Sequence, residues 1–145
     1  MRFSLREHTT LLHGTHEAYR RQKGLALAAG ERLDYTVEDL RVYVRNNLGA
    51  RACHYCLGPV TAANFALAPK NPPERGGSFA FHNLTVTCSR CAAAKAVLDH
   101  IEYRELMGLL RSWSPFIRRN LLARLEFAAN VRDGLEFLPN PRLLA

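Results

Sequence analysis

The chain has no run of about 18 consecutive apolar residues, so no transmembrane helix is expected. Its first ten residues, MRFSLREHTT, lack the apolar core of a secretory leader. A cytoplasmic protein without a membrane partner is the expectation. Cysteine is scarce, at four in 145 residues, and all four fall between 53 and 91. In a reducing compartment such a cluster binds metal in preference to forming disulfides. Acidic groups are also scarce in that stretch. Residues 51–98 hold five basic groups and one acid, Glu74, and therefore carry +4 of the net +7. The flanks are nearly balanced, with eight basic and six acidic groups in 1–50 and seven and six in 99–145. At 48% hydrophobic and 23% charged, the composition excludes a disordered or low-complexity chain. It suits one domain, or a small module with flanking helices, able to bury a core.

What is present divides the chain into three expected parts: a helical arm over 1–50, a cysteine module over 51–98, and a helical arm with a loose tail over 99–145. In the first arm, Ala18, Leu25 and Ala29 recur at helical spacing over about 15–29, and Gly30 is the stop. Thr36 with Asp39 forms a capping box for a second helix, whose apolar face is Leu40, Val44 and Leu48 and whose end is Gly49. Arg41 and Arg45 read as its solvated face. In the middle, Phe65–Ala68 and Leu84–Thr87 read as short strands. Three prolines and two glycines make the intervening Pro69–Gly77 a loop. The run Ala92–Leu98 favours helix. Asp99 with Glu102 opens a helix carrying Ile101, Leu106, Leu109 and Leu110. Ser114-Pro115 opens a last one with Ile117, Leu121, Leu122, Leu125 and Ala128 inward, and Pro139 and Pro141 close the tail.

The cysteines read Cys53-x2-Cys56 and Cys88-x2-Cys91, with 31 residues between the pairs. Each pair brings two thiolates onto one turn, and two pairs complete a tetrahedral four-sulfur shell. Such a shell leaves no position open for water, so a structural zinc is expected. His54 lies inside the first knuckle and reads as a surface residue, since a fourth sulfur already exists.

The block from Cys53 to Lys95 resembles a His-Asn-His (HNH) endonuclease module of the four-cysteine type. That family shows a CxxC knuckle, then Asp-His-x-x-Pro-x-x-Arg-Gly-Gly, then Asn-Leu, then a second CxxC followed by Asn and a nearby Lys. This chain supplies Cys53, Cys56, Pro72, Arg75-Gly76-Gly77, Asn83-Leu84, Cys88, Cys91 and Lys95. Tyr19–Lys23, Asp34-Tyr35-Thr36 and the segment from Tyr103 to Leu110 resemble the arms of bacterial members. The resemblance implies an α+β fold: a small treble-clef-like ββα zinc core flanked by amphipathic helices.

The departures fall on the reactive positions. The family's metal-holding Asp and general-base His fall on Ala68 and Pro69, and its metal-proximal Asn falls on Ala92. Asn83 is the one remnant. Cleavage of a phosphodiester needs hard ligands for an ion and a base for water, and 51–98 offers only Glu74, His54 and His82. His82, beside Asn83, is the only one placed to act as a displaced base. A second, catalytic divalent ion is not expected. The expected function is therefore binding of nucleic acid, in particular double-stranded DNA, without cleavage, with Arg75, Arg90 and Lys95 as phosphate contacts. Two other readings stay open: an active HNH-type endonuclease with a rearranged site, and an adaptor that binds a protein partner through its carboxy-terminal helices.

Overall fold

Ser4 begins the first helix by a reciprocal cap. Its hydroxyl accepts from the Glu7 amide at 3.2 Å, and its own amide donates to the Glu7 carboxylate at 2.8 Å. The computed structural model describes residues 3–48 and 52–132; the expectations at Gly49, Pro139 and Pro141 lie outside them. In chain order the elements are α1 (Leu5–Ala28), α2 (Val37–Asn46), β1 (Phe65–Pro69), β2 (Leu84–Cys88), α3 (Ser89–Lys95), α4 (His100–Leu110) and α5 (Pro115–Arg132). The strands pair antiparallel, from Phe65 opposite Cys88 to Pro69 opposite Leu84. The fold is α+β. None of the helices is long and apolar enough to cross a membrane, among the described residues.

The helix α1 begins ten residues earlier than its apolar spacing suggested, because the Ser4–Glu7 cap nucleates it ahead of its buried face. That face is Leu11, Thr15 and Ala26, whereas Leu25 and Ala29 point outward. The Thr36–Asp39 cap of α2 and the Asp99–Glu102 cap of α4 form as read from the sequence. Leu40, Val44 and Leu48 are buried, Arg41 pairs with Glu38, and Arg45 is exposed.

On α4 the buried stripe is Tyr103, Met107 and Leu110, while Ile101 and Leu109 stand 66% and 64% exposed. Along α5, Leu122 and Ala129 are buried and Leu121 and Leu125 half-buried, but Ile117 and Ala128 face out. The helix is rotated about its axis relative to the sequence reading, because α3 is the element against which it packs.

One core joins all three parts of the chain. Leu11, Leu40 and Val44 from the first arm meet Cys53, Val86 and Cys91 from the middle and Tyr103, Leu110 and Leu122 from the second arm. Aromatic rings extend this joint: Phe81 lies 5.1 Å from Tyr35 and 5.2 Å from Tyr43. The Phe81 amide also donates to the Asp34 carboxylate at 2.8 Å, and the Tyr43 hydroxyl donates to the Leu84 carbonyl at 3.2 Å.

The helix α3 stops at Lys95, three residues short of the helix-favouring run, since Ala96 takes φ 46° and ψ −119°. Those angles suit glycine, and an L side chain there costs roughly 1–3 kcal/mol. Ala96→Gly is therefore expected to raise stability by about 1 kcal/mol, read as a higher urea midpoint of the metal-loaded protein. An unchanged or lower midpoint would show that the strain is absent.

Candidate metal centre and the surface beside it

The turn 53–58 presents the first two thiols. The Leu57 amide donates to the Cys53 carbonyl at 3.0 Å, and the Cys53 amide donates to the Gly58 carbonyl at 2.6 Å. Leu57 pays for this tight turn with a φ of 61°. The second pair sits at the junction of β2 and α3, where the Cys91 amide donates to the Cys88 sulfur at 3.4 Å and so caps α3. Two further amides point at sulfur: Cys88 to Cys53 at 3.5 Å and Gly58 to Cys56 at 3.3 Å.

The four sulfurs all lie within 4.8 Å of one another, and Cys56 and Cys88 are 3.8 Å apart. A tetrahedral shell with metal–sulfur bonds of about 2.3 Å separates its sulfurs by about 3.8 Å, so the donor set fits one metal ion. Amides directed at sulfur favour thiolate over thiol. Hydrogen bonding among the crowded thiols pulls Cys53 and Cys56 below the ordinary thiol range and pushes Cys88 and Cys91 above it. Tyr103 closes the inner side of the cluster, and burial pushes its phenol up. Among the described residues, no other group of three or more His, Cys, Asp or Glu is arranged to hold a metal.

The loop between the strands is held shut by Asn83. Its side-chain oxygen accepts from the Asn71 amide at 3.0 Å, and its side-chain nitrogen donates to the carbonyls of Asn71 at 2.9 Å and Ser78 at 2.8 Å. The glycine pair has its own reason. Gly76 takes φ 85°, and a Cβ on Gly77 would lie 1.8 Å from the Asn71 carbonyl oxygen. The loop therefore requires glycine at both positions.

The positions of the expected reactive groups are apolar. Ala68 is buried within β1, Pro69 ends that strand, and Ala92 is half-buried on α3. His82 is exposed in a 3-10 turn and makes no side-chain hydrogen bond among the described residues.

The three cations expected to meet phosphate are engaged elsewhere to different degrees. Lys95 is 1% exposed, and its ammonium donates to the carbonyls of Pro69 at 2.7 Å and Leu98 at 2.5 Å. Burial outweighs the carboxylates of Asp99, Glu102 and Glu74 and pulls its pKa down to about 8. This lysine ties the end of β1 to the turn before α4 and has no surface to offer a phosphate, which corrects its assignment as a contact. Arg75 pairs with Glu102, and Arg90 lies 4.0 Å from Glu126; both remain exposed at the surface.

A second group of residues, which their spacing in sequence did not bring together, lies against the cysteine knuckle. The Tyr55 hydroxyl lies 2.7 Å from His100 Nδ1, and the His100 ring stacks on His54 at 4.9 Å between centroids. The His100 amide donates to the Lys70 carbonyl at 2.7 Å. Tyr55 and His100 are 45 positions apart, and no short motif links them.

No family model, curated protein or solved structure matches this chain.

Proposed function

We propose that the chain is a zinc-held, treble-clef-like ββα module, of HNH-endonuclease type but without its reactive groups, that binds double-stranded DNA and does not cleave it. The observation that carries this reading is the Asn83-stapled loop, set across a strand pair and a four-cysteine cluster, with Ala68, Pro69 and Ala92 at the positions of the ligands and base. A frame that keeps its metal cluster, its Arg-Gly-Gly turn and a +4 charge retains what backbone contact needs. Losing a general base alone costs roughly 10²–10⁴ in rate, and the ion's hard ligands are gone as well.

A titration of the zinc-loaded protein against a mixed-sequence DNA duplex tests this. For three neutralised phosphates, affinity should fall about 40-fold between roughly 50 and 200 mM salt. Absence of binding at the lower salt would remove the reading.

A second reading has an observation of its own. Leu109, Trp113, Phe116 and Ile117 stand exposed around the turn from α4 to α5, as an adaptor's protein-binding face would require. Failure to bind DNA would favour it.

A further inference from the structure

Three of the middle module's cations are accounted for inside the fold or by carboxylates: Lys95, Arg75 and Arg90. Among the described residues, the module's one other lysine or arginine is Lys70, and it shares the surroundings of His100 with His54 and with Arg104 of α4. Lys70 follows β1, and its carbonyl is bonded to the first residue of α4, His100. Arg104 stands one turn further along α4, on the same face as His100. His54 stacks against His100 from the knuckle itself. Neither Lys70 nor Arg104 forms an ion pair among the described residues, and His54, Lys70 and Arg104 are all exposed.

We infer that His54, Lys70, His100 and Arg104 form one phosphate-contact site for a nucleic-acid backbone, at the junction of the metal knuckle, the end of β1 and the start of α4. The inference rests on the DNA-binding reading above and moves its contact surface from the residues first expected. Its physical basis is convergence from three separate segments onto one surface whose lysine and arginine, Lys70 and Arg104, make no ion pair among the described residues. The Tyr55 hydroxyl holds the His100 ring through Nδ1, and Nε2 has no hydrogen-bond partner among the described residues. The electrostatic surroundings agree: burial first, and then His54, Arg104, Lys70 and Lys95, lower the pKa of His100. Two flexible cations beside the tethered His100 imidazole, with the His54 ring stacked on it, supply both charge and N–H donors to phosphate oxygens.

The test compares the zinc-loaded protein with the double variant Lys70→Glu, Arg104→Glu, and with the control Arg21→Glu, Arg45→Glu. The control carries the same charge change on exposed positions of α1 and α2. All are checked for metal content and helicity, then titrated against a DNA duplex over a salt series. The site predicts that the Lys70/Arg104 variant binds at least about tenfold more weakly and loses about two from its log–log salt slope. The control should keep its slope and lose no more than about threefold. If the unmodified protein binds DNA and both variants lose affinity equally, the site is wrong and the DNA-binding reading survives. If the unmodified protein does not bind at low salt, both fall. Displacement of the duplex by inorganic phosphate at matched ionic strength would show a small-anion site and overturn the backbone assignment.

Discussion

Removing the metal, or replacing Cys88 with Ser, should abolish the cooperative unfolding transition of the whole chain. Cys53, Cys88 and Cys91 belong to the same core as Leu11, Leu40, Tyr103 and Leu122, so the cluster holds the arms as well as the knuckle. A structural zinc contributes on the order of 10–16 kcal/mol in small modules. That matches or exceeds the roughly 5–15 kcal/mol by which a domain is stable at all. Without the ion, four thiols crowd within 4.8 Å of one another around a two-stranded sheet of five-residue strands. Near-ultraviolet circular dichroism and a urea titration, before and after a strong chelator, make the measurement. The far-ultraviolet helical signal should fall but not vanish, because the 24-residue α1 exceeds the length at which isolated helices become marginal. A chelated protein that keeps its sharp transition and near-ultraviolet bands would show that the core stands without the metal.

Asn83→Ala is the second large effect, and it is expected to cost about 3 kcal/mol. Its side chain is buried and makes three hydrogen bonds across the loop. Each net bond contributes about 1 kcal/mol, and a buried partner left unpaired costs somewhat more. The loop cannot rearrange freely to compensate. Gly77 is pressed against the Asn71 and Pro72 backbone, and the Lys70 amide is bonded to the Asn83 carbonyl at 2.6 Å. The loss should appear as a lower urea midpoint at full metal content. Asn83→Asp keeps the acceptor for the Asn71 amide but turns a buried carboxylate oxygen toward the carbonyls of Asn71 and Ser78, so it should cost at least as much as Asn83→Ala. A full-strength transition in Asn83→Ala would mean that the loop is held by its glycines and prolines alone.

Local chemistry was legible in the residues; the choice of face was not. The paired cysteines, the Thr36–Asp39 and Asp99–Glu102 caps and both strands could be read because each depends on neighbours within a few positions. The Ser4–Glu7 cap has the same form and escaped notice because the turns after it bury so little. Leu5 and residues 6–10 are exposed, so no apolar period announces the helix. On α4 and α5 the apolar residues outnumber the buried positions, and periodicity alone could not choose Met107 over Leu109 or Ala129 over Ala128. Packing against α3 makes that choice for α5.

Lys95 shows a different limit. Nothing in a charge pattern marks a lysine as interior, and its acceptors are carbonyls 26 and 3 positions away. The same holds for the positive surface by the knuckle. His54, Lys70, His100 and Arg104 belong to three segments, and only the docking of α4 against the end of β1 assembles them. Sequence could supply the charge of the middle segment but not its direction.

The claim that the module keeps its frame and lacks its chemistry is tested most directly by nicking of supercoiled plasmid DNA. Zinc-loaded protein is incubated with plasmid and Mg²⁺, Mn²⁺ or Ni²⁺ in turn, and open-circular product is counted against a protein-free control. With Ala68, Pro69 and Ala92 at the positions where the proposed HNH likeness places ligand and base, and His82 exposed without a carboxylate ligand set among the described residues, the expected result is no metal-dependent product above that control. Metal-dependent nicking by the unmodified chain, abolished by His82→Ala, would contradict it and place an active centre at the relocated histidine.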